Sequence, residues 1–143
     1  MADQLASLGA TVHLCGRRLS VVEEAAAALR ARHGGAAHAH AVDIRDADAV
    51  DAMGEGIWTT HGGLDSLINN AAGNFISPTE KLSARGFNAI ADTGFRGTVY
   101  TAQAVGKRWI ATGARGAVVS IVVTWVWTGS PHWRLNGAGT GSA

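Results

Sequence analysis

The pattern of apolar and polar positions predicts short buried strands that alternate with longer helices. The first predicted strand is "ATVHLC", residues 10–15, which has glycine on both sides, as strand ends often do. A helix follows in "SVVEEAAAALRARHG". Its start is predicted at Ser20 as N-cap, with Glu23 three residues on as the capping-box partner, and Gly34 ends it.

The same alternation continues along the chain. A second strand is predicted in "AAHAHAV", a second helix from about Asp46 to Thr60, and a third strand in "LDSLIN". One long helix, Ser83–Thr112, then leads to a fourth strand in "GAVVSIVV". Strands separated by helices of about 10 to 20 residues are typical of βαβ units. The sequence therefore predicts an α/β fold with a doubly wound parallel sheet.

Composition and charge narrow the class of protein. The chain has 143 residues and a formal net charge of +1, which predicts one domain and argues against a nucleic-acid partner. No apolar run reaches the roughly 18 residues of a membrane span, and no signal peptide is visible. The single cysteine, Cys15, suits the cytoplasm, and its place in a strand predicts a buried thiol. No metal site is predicted.

Candidate chemistry lies where the predicted strands end, because ligands of such sheets bind at the carboxyl ends of the strands. Arg17 and Arg18 follow the first strand. Arginines at this position of such a sheet bind the 2′-phosphate of NADP. A solvated pair at the start of a helix is the equally weighted alternative. In "VDIRD", Asp43 is placed to accept from an adenine amino group and Ile44 to lie against the ring. An acid at a helix N-terminus explains Asp43 equally well.

The stretch "LINNAAGNF", residues 67–75, carries the most specific signal. Asn and Gly are common turn residues, so an ordinary turn is one interpretation. Small residues at a strand end also allow a ribose or nicotinamide to approach the backbone closely. The residues predicted to line a cofactor here are Asn70, Ala71, Ala72 and Gly73.

These motifs resemble the short-chain dehydrogenase/reductase family. "NNAAG" is similar to that family's motif after its fourth strand, and "INNAAGNFISPTEKLS" resembles the 2,4-dienoyl-CoA reductase branch in particular. "VHLCGRR" and "VDIRD" resemble the branch's NADPH-selecting strand end and adenine site. The resemblance implies a Rossmann-like sheet, NADP(H) as cofactor and an acyl-CoA-type substrate. It also implies that Asn74 and Phe75 bind this substrate.

The sequence departs from the family pattern in three places. The family's first strand and the GxxxGxG turn that cradles the pyrophosphate are absent from this sequence, which opens on "MADQLASLGA". Trp125 stands five residues after Ser120, where the branch has a proton-donating tyrosine. The helix with the family's lysine and the last strands are also absent. The prediction is a partial dinucleotide-binding domain over residues 1–131, an irregular tail over residues 132–143 and no assignable catalytic residue.

Three functions remain open on these grounds. The first is a fragment of an NADPH-dependent 2,4-dienoyl-CoA reductase, inactive as the 143-residue chain. The second is another short-chain enzyme that acts on a carbonyl or alcohol. The third is a non-catalytic remnant that binds a homo- or hetero-oligomeric partner through the helix at Ser83–Thr112, which resembles the family's dimerisation helix. Without the family's first strand, the remaining strands are expected to form two half-sheets with open edges.

Overall fold

The computed structural model describes residues 1–73 and 79–122, and its strands and helices alternate as predicted. In chain order the elements are α1 (Ala2–Ser7), β1 (Val12–Gly16), α2 (Leu19–His33), β2 (Ala37–Ala41), α3 (Ala47–His61), β3 (Ser66–Asn69), α4 (Ala84–Ala91), α5 (Gly97–Thr112) and β4 (Ala117–Ser120). A short 3-10 helix, Thr79–Lys81, precedes α4, and a π-helical segment, Asp92–Arg96, joins α4 to α5. No helix in the described residues is long and apolar enough to cross a bilayer.

The strands form two separate parallel pairs. β1 pairs with β2, with Val12 opposite Ala37, and β3 pairs with β4, with Ser66 opposite Ala117. Among the residues that the structure describes, no strand joins β1 to β3. The predicted α/β class with parallel strands and the predicted division into two half-sheets are therefore confirmed.

One face of the β1–β2 pair carries the core of the N-terminal part. Val12 on β1 and Ala37 on β2 pack against Ala26 and Leu29 of α2, and Ala6 of α1 closes the cluster. Alternate residues of a strand point to opposite faces, so the residues between these apolar ones lie on the other side of the sheet. That second face carries His13 and Cys15 of β1 and His38 and His40 of β2 rather than aliphatic side chains.

Two local predictions in this part are wrong. α2 begins at Leu19 rather than after Ser20, because the chain turns directly from β1 and the Arg18 carbonyl already accepts from the amides of Val21 and Val22. Arg18 occupies the N-cap position without a side-chain cap. Cys15 is exposed, not buried. It lies on β1, which pairs with β2 on one edge and has no described strand on the other.

The long helix is confirmed as α4, the π-helical segment and α5 in succession. Ser83 caps it, since the Gly86 amide donates to the Ser83 hydroxyl at 3.1 Å. Phe87, Phe95 and Ile110 are exposed along it. Its use as an oligomer contact stays a prediction.

The buried side chain of Arg108 ties α5 to α3. Its guanidinium donates to the Asp51 carboxylate at 2.6 Å and to the Glu55 carboxylate at 3.0 Å. Although burial alone would lower the pKa of Arg108, these hydrogen bonds raise it. A Cβ at Gly54 of α3 would lie 2.9 Å from Arg108 Nη1. Because glycine has no side chain, Gly54 leaves room for the guanidinium.

The turn into β4 depends on a glycine beneath a buried indole. Trp109 is buried and its Nε1–H donates to the Leu64 carbonyl at 2.6 Å. A Cβ at Gly116 would lie 2.1 Å from two carbons of this ring. We expect Gly116→Ala to cost about 1–3 kcal/mol of stability, since the held ring must move. Far-UV circular dichroism along a urea series measures the effect as a lower urea concentration at half of the signal change, which can be read from a broad transition too.

The matched control for this substitution is Gly106→Ala. A Cβ at Gly106 would meet no atom within 4 Å, and Gly106 lies inside α5. Replacing a helical glycine by alanine in open space is expected to be neutral or to stabilise by up to about 1 kcal/mol. Equal midpoints for the two variants would contradict the packing described for Trp109.

Candidate functional site

The end of β1 opens a groove lined by two arginines. Its volume is about 650 Å³, and its walls are formed by Cys15, Gly16, Arg17, Arg18, Val21 and Val22. Gly16 allows α2 to come close, because a Cβ there would lie 2.9 Å from Val22 Cγ2. Both arginines are exposed, and neither forms an ion pair within residues 1–73 and 79–122. The groove therefore offers two guanidinium groups to an anion.

The end of β2 places a charged carboxylate beside this groove. Asp43 accepts hydrogen bonds from the Arg45 backbone amide at 3.1 Å and from Arg45 Nε at 2.9 Å. These bonds, helped by the nearby charge of Arg17, lower the pKa of Asp43 to about 2. Asp43 is thus an ionised acceptor at neutral pH. The structure brings Arg17 and Asp43 to the same edge, and Arg45 is a partner that the sequence analysis did not find.

Ile44 connects this edge to the long helix. A Cβ at Gly97, the first residue of α5, would lie 2.6 Å from Ile44 Cδ1. Only a glycine at this position lets the isoleucine side chain rest on the helix. Ile44 is half-buried by this contact and stays at the end of β2 beside Asp43. Its predicted contact with an adenine ring remains a prediction.

The end of β3 combines an exposed turn with a buried amide. Asn70, Ala71 and Ala72 are exposed, and Gly73 lies over the π-helical segment, with a hypothetical Cβ 3.6 Å from Thr93 Cβ. The Asn69 side-chain oxygen accepts from the Thr101 hydroxyl at 2.7 Å. Asn69 Nδ2 is buried without a partner among the described residues.

The Asn69–Thr101 hydrogen bond ties the end of β3 to the long helix, and Thr93 lies beneath Gly73. Thr101 and Thr93 both come from the long helix, more than 20 residues along the chain from the strand, so no local pattern reveals their role. The predicted substrate residues Asn74 and Phe75, as well as Trp125 and the tail over residues 132–143, lie outside the described residues.

The sequence of this chain matches a known protein family. The family model for short chain dehydrogenase matches residues 1–138. The chain belongs to the short-chain dehydrogenase family. Its Rossmann-like fold and the family resemblance predicted from the sequence are therefore confirmed. Short-chain dehydrogenases bind nicotinamide cofactors, so the chain is part of an oxidoreductase family.

Two relatives and one solved structure show how far the similarity extends. A probable 2,4-dienoyl-CoA reductase of Bacillus subtilis is 35% identical over 127 residues, which cover 89% of this chain and 50% of that protein. D-threitol dehydrogenase of Mycolicibacterium smegmatis is 35% identical over 112 residues, which cover 74% of this chain and 43% of that protein. A short chain dehydrogenase of Bacillus anthracis superposes with a TM-score of 0.92 at 36% identity, over 98% of this chain and 56% of that one. The chain spans about half the length of these relatives.

The described residues would suit the two ends of a nicotinamide dinucleotide, although the GxxxGxG turn for its pyrophosphate is not in this sequence. The β1 groove offers two guanidinium groups where a phosphate would be bound, and β2 supplies the ionised Asp43 next to it. The β3 turn presents a small, exposed backbone where a ribose or ring must come close. The charged groove at β1 would suit the charged end of an elongated ligand, and the small exposed turn at β3 would suit a flat end.

Proposed function

We propose that the chain is the NADP(H)-binding part of a short-chain reductase of the 2,4-dienoyl-CoA reductase type. The observation that carries this proposal is the groove at the end of β1, with its two exposed arginines. A 2′-phosphate distinguishes NADP(H) from NAD(H), and arginine binds phosphate through charge-assisted, bidentate hydrogen bonds. An NAD-selective site would instead have a carboxylate at this position, to bind the ribose hydroxyls.

The adenosine half of the cofactor rests on the first two strand ends in this proposal. Arg17 and Arg18 bind the 2′-phosphate, Asp43 accepts from the adenine amino group, and Ile44 packs against the ring. The hydrogen bonds of Arg45 keep Asp43 ionised and fix its orientation. The carboxylate can therefore serve as an acceptor without a proton of its own.

The nicotinamide half lies along the β3 turn. Asn70, Ala71, Ala72 and Gly73 line its ribose and ring, and the Asn69–Thr101 hydrogen bond fixes the strand end beneath them. The nicotinamide supplies a hydride when bound. Asn74 and Phe75 follow directly in the sequence and are proposed to bind the acyl-CoA substrate near its carbonyl group. The similarity to the Bacillus subtilis reductase supports this substrate class.

A chimaera tests the substrate class. Residues 1–122 of this chain replace the matching segment of the Bacillus subtilis relative, which supplies the remainder of an enzyme. We expect NADPH oxidation with a 2,4-dienoyl-CoA and no reduction of NADP⁺ with D-threitol. Within the chimaera, Asn74→Ala is expected to lower the rate with the dienoyl-CoA while NADPH binding is retained.

The parent relative and the 143-residue chain are the controls. The chain alone is expected to stay inactive, because Trp125 cannot serve as a general acid and acid–base catalysis contributes about 10²–10⁴-fold. A folded chimaera that binds NADPH but reduces no dienoyl-CoA would overturn the proposed substrate class. Dienoyl-CoA reduction by the chain alone would overturn the assignment of Trp125.

A further inference from the structure

Four histidines cluster on the face of the β1–β2 pair that is opposite α2. His13 on β1 lies across from His38 on β2, and His40 follows two residues later on the same face. His61, the last residue of α3, reaches the cluster from outside the sheet. The ring centroids of His13 and His38 are 4.8 Å apart, and those of His38 and His61 are 4.3 Å apart.

Strand alternation explains why these rings meet. In "AHAHA", the alanines of β2 face the helix and the histidines face the other side. The register of β1 then places His13 beside His38. The chain turns after His61 through Gly62 and Gly63, both at positive φ, which ends α3 beside the sheet. Three elements separated by more than 20 residues along the chain thus present imidazoles to one point.

The ring nitrogens are close enough to share a metal ion. One nitrogen from each of His13, His38 and His61 lies within 4.8 Å of the other two. In a tetrahedral zinc site, bonds of about 2.0–2.1 Å place the nitrogens about 3.4 Å apart. Binding would bring the nitrogens closer by up to about 1.4 Å, through rotation of the side chains. The exposed His61 at the end of its helix can supply most of it.

The fourth histidine orients the first. His13 Nδ1 and His40 Nε2 are 3.0 Å apart and share a hydrogen bond. This bond occupies Nδ1 and leaves Nε2 of His13 available, which is the arrangement usual for metal-bound histidine.

We propose that His13, His38 and His61 form a binding site for a divalent transition metal ion of the zinc type, with His40 as the residue that positions His13. Imidazole nitrogen is a favoured ligand for Zn²⁺, Co²⁺, Ni²⁺ and Cu²⁺. Three protein ligands leave a fourth position for water or another group. The ion would fasten the end of α3 to the β1–β2 pair, at a place separate from the arginine groove.

Metal titration of the untagged 143-residue chain tests this site. After treatment with a chelator, Zn²⁺ binding is measured by calorimetry and Co²⁺ binding by visible absorption. We expect one ion per chain. His61→Gln and His38→Gln are expected to weaken Zn²⁺ binding by at least about 10-fold, and His40→Ala by about 10–100-fold. Far-UV circular dichroism checks that each variant keeps its secondary structure.

His33→Gln is the matched control, because His33 lies outside the cluster and pairs with Asp3 at the end of α2. It is expected to bind Zn²⁺ as the unaltered chain does. His61 is exposed, so a loss of affinity in His61→Gln with unchanged circular dichroism reflects the lost ligand rather than unfolding. Equal affinities in all variants, or no Zn²⁺ binding by the unaltered chain, would overturn the proposal.

Discussion

Replacing Arg17 and Arg18 together by alanine is expected to weaken NADPH binding by about 10- to 100-fold and to leave NADH binding nearly unchanged. A hydrogen bond to a charged group contributes about 1.5–3 kcal/mol, and 1.4 kcal/mol corresponds to a factor of ten. Both guanidinium groups are exposed, so solvent screening keeps the expected effect below the sum of two such bonds. Only NADPH carries the 2′-phosphate, and only its binding should therefore respond.

The double variant Arg85→Ala with Arg115→Ala is the matched control. Both residues are exposed and lie outside the β1 groove, and their removal changes the net charge by the same amount. Calorimetry with each cofactor, on the chain and on the chimaera, gives the two dissociation constants. Equal losses for NADPH and NADH, or a control that loses as much NADPH affinity, would contradict a local contact with the 2′-phosphate.

The 143-residue chain is expected to melt over a broad temperature range and to bind a hydrophobic dye strongly. Val118, Val119, Ile121 and Val122 are each between 41% and 49% exposed in and after β4. An isolated two-stranded sheet is marginally stable, and within residues 1–73 and 79–122 no further strand pairs with the edges of either pair. Differential scanning calorimetry and dye fluorescence measure both properties.

The double variant Val118→Thr with Val119→Thr tests whether dye binding comes from the exposed apolar side chains of β4 or from general instability. Threonine keeps the β-branched shape that favours strands but removes apolar surface. Dye binding is expected to fall while circular dichroism stays the same. A sharp two-state transition without dye binding by the unaltered chain would mean that its core is closed. That result would be incompatible with two separate strand pairs.

Local signals in the sequence were sufficient for most of the fold. The order of strands and helices and the parallel pairing follow from alternation and from glycines at element ends. The cap of α3 is also local, since Asp46 accepts from the amides of Asp48 and Ala49. The start of α2 was misplaced by two residues, because Ser20 and Glu23 form a capping box in sequence only. Glu23 instead pairs with Arg30 in the structure.

The site was predictable only at the strand ends. Arg17, Asp43 and the "NNAAG" turn stand out because the carboxyl ends of parallel strands are where ligands bind. Thr101 lies 32 residues from its partner Asn69, and only the packing of the long helix brings them together. The histidine cluster also depends on tertiary structure, although "HAH" in a strand already places two imidazoles on one face.

Mapping the binding site for adenosine 2′,5′-bisphosphate by NMR tests the NADP(H) assignment most directly. The ¹⁵N-labelled chain is titrated with this compound and, separately, with 5′-AMP, which lacks the 2′-phosphate. Backbone amide shifts are predicted at residues 16–22 and 43–45 with the bisphosphate, and much smaller ones at the same residues with 5′-AMP. Equal shifts with both compounds, or shifts confined to other parts of the chain, would contradict the assignment.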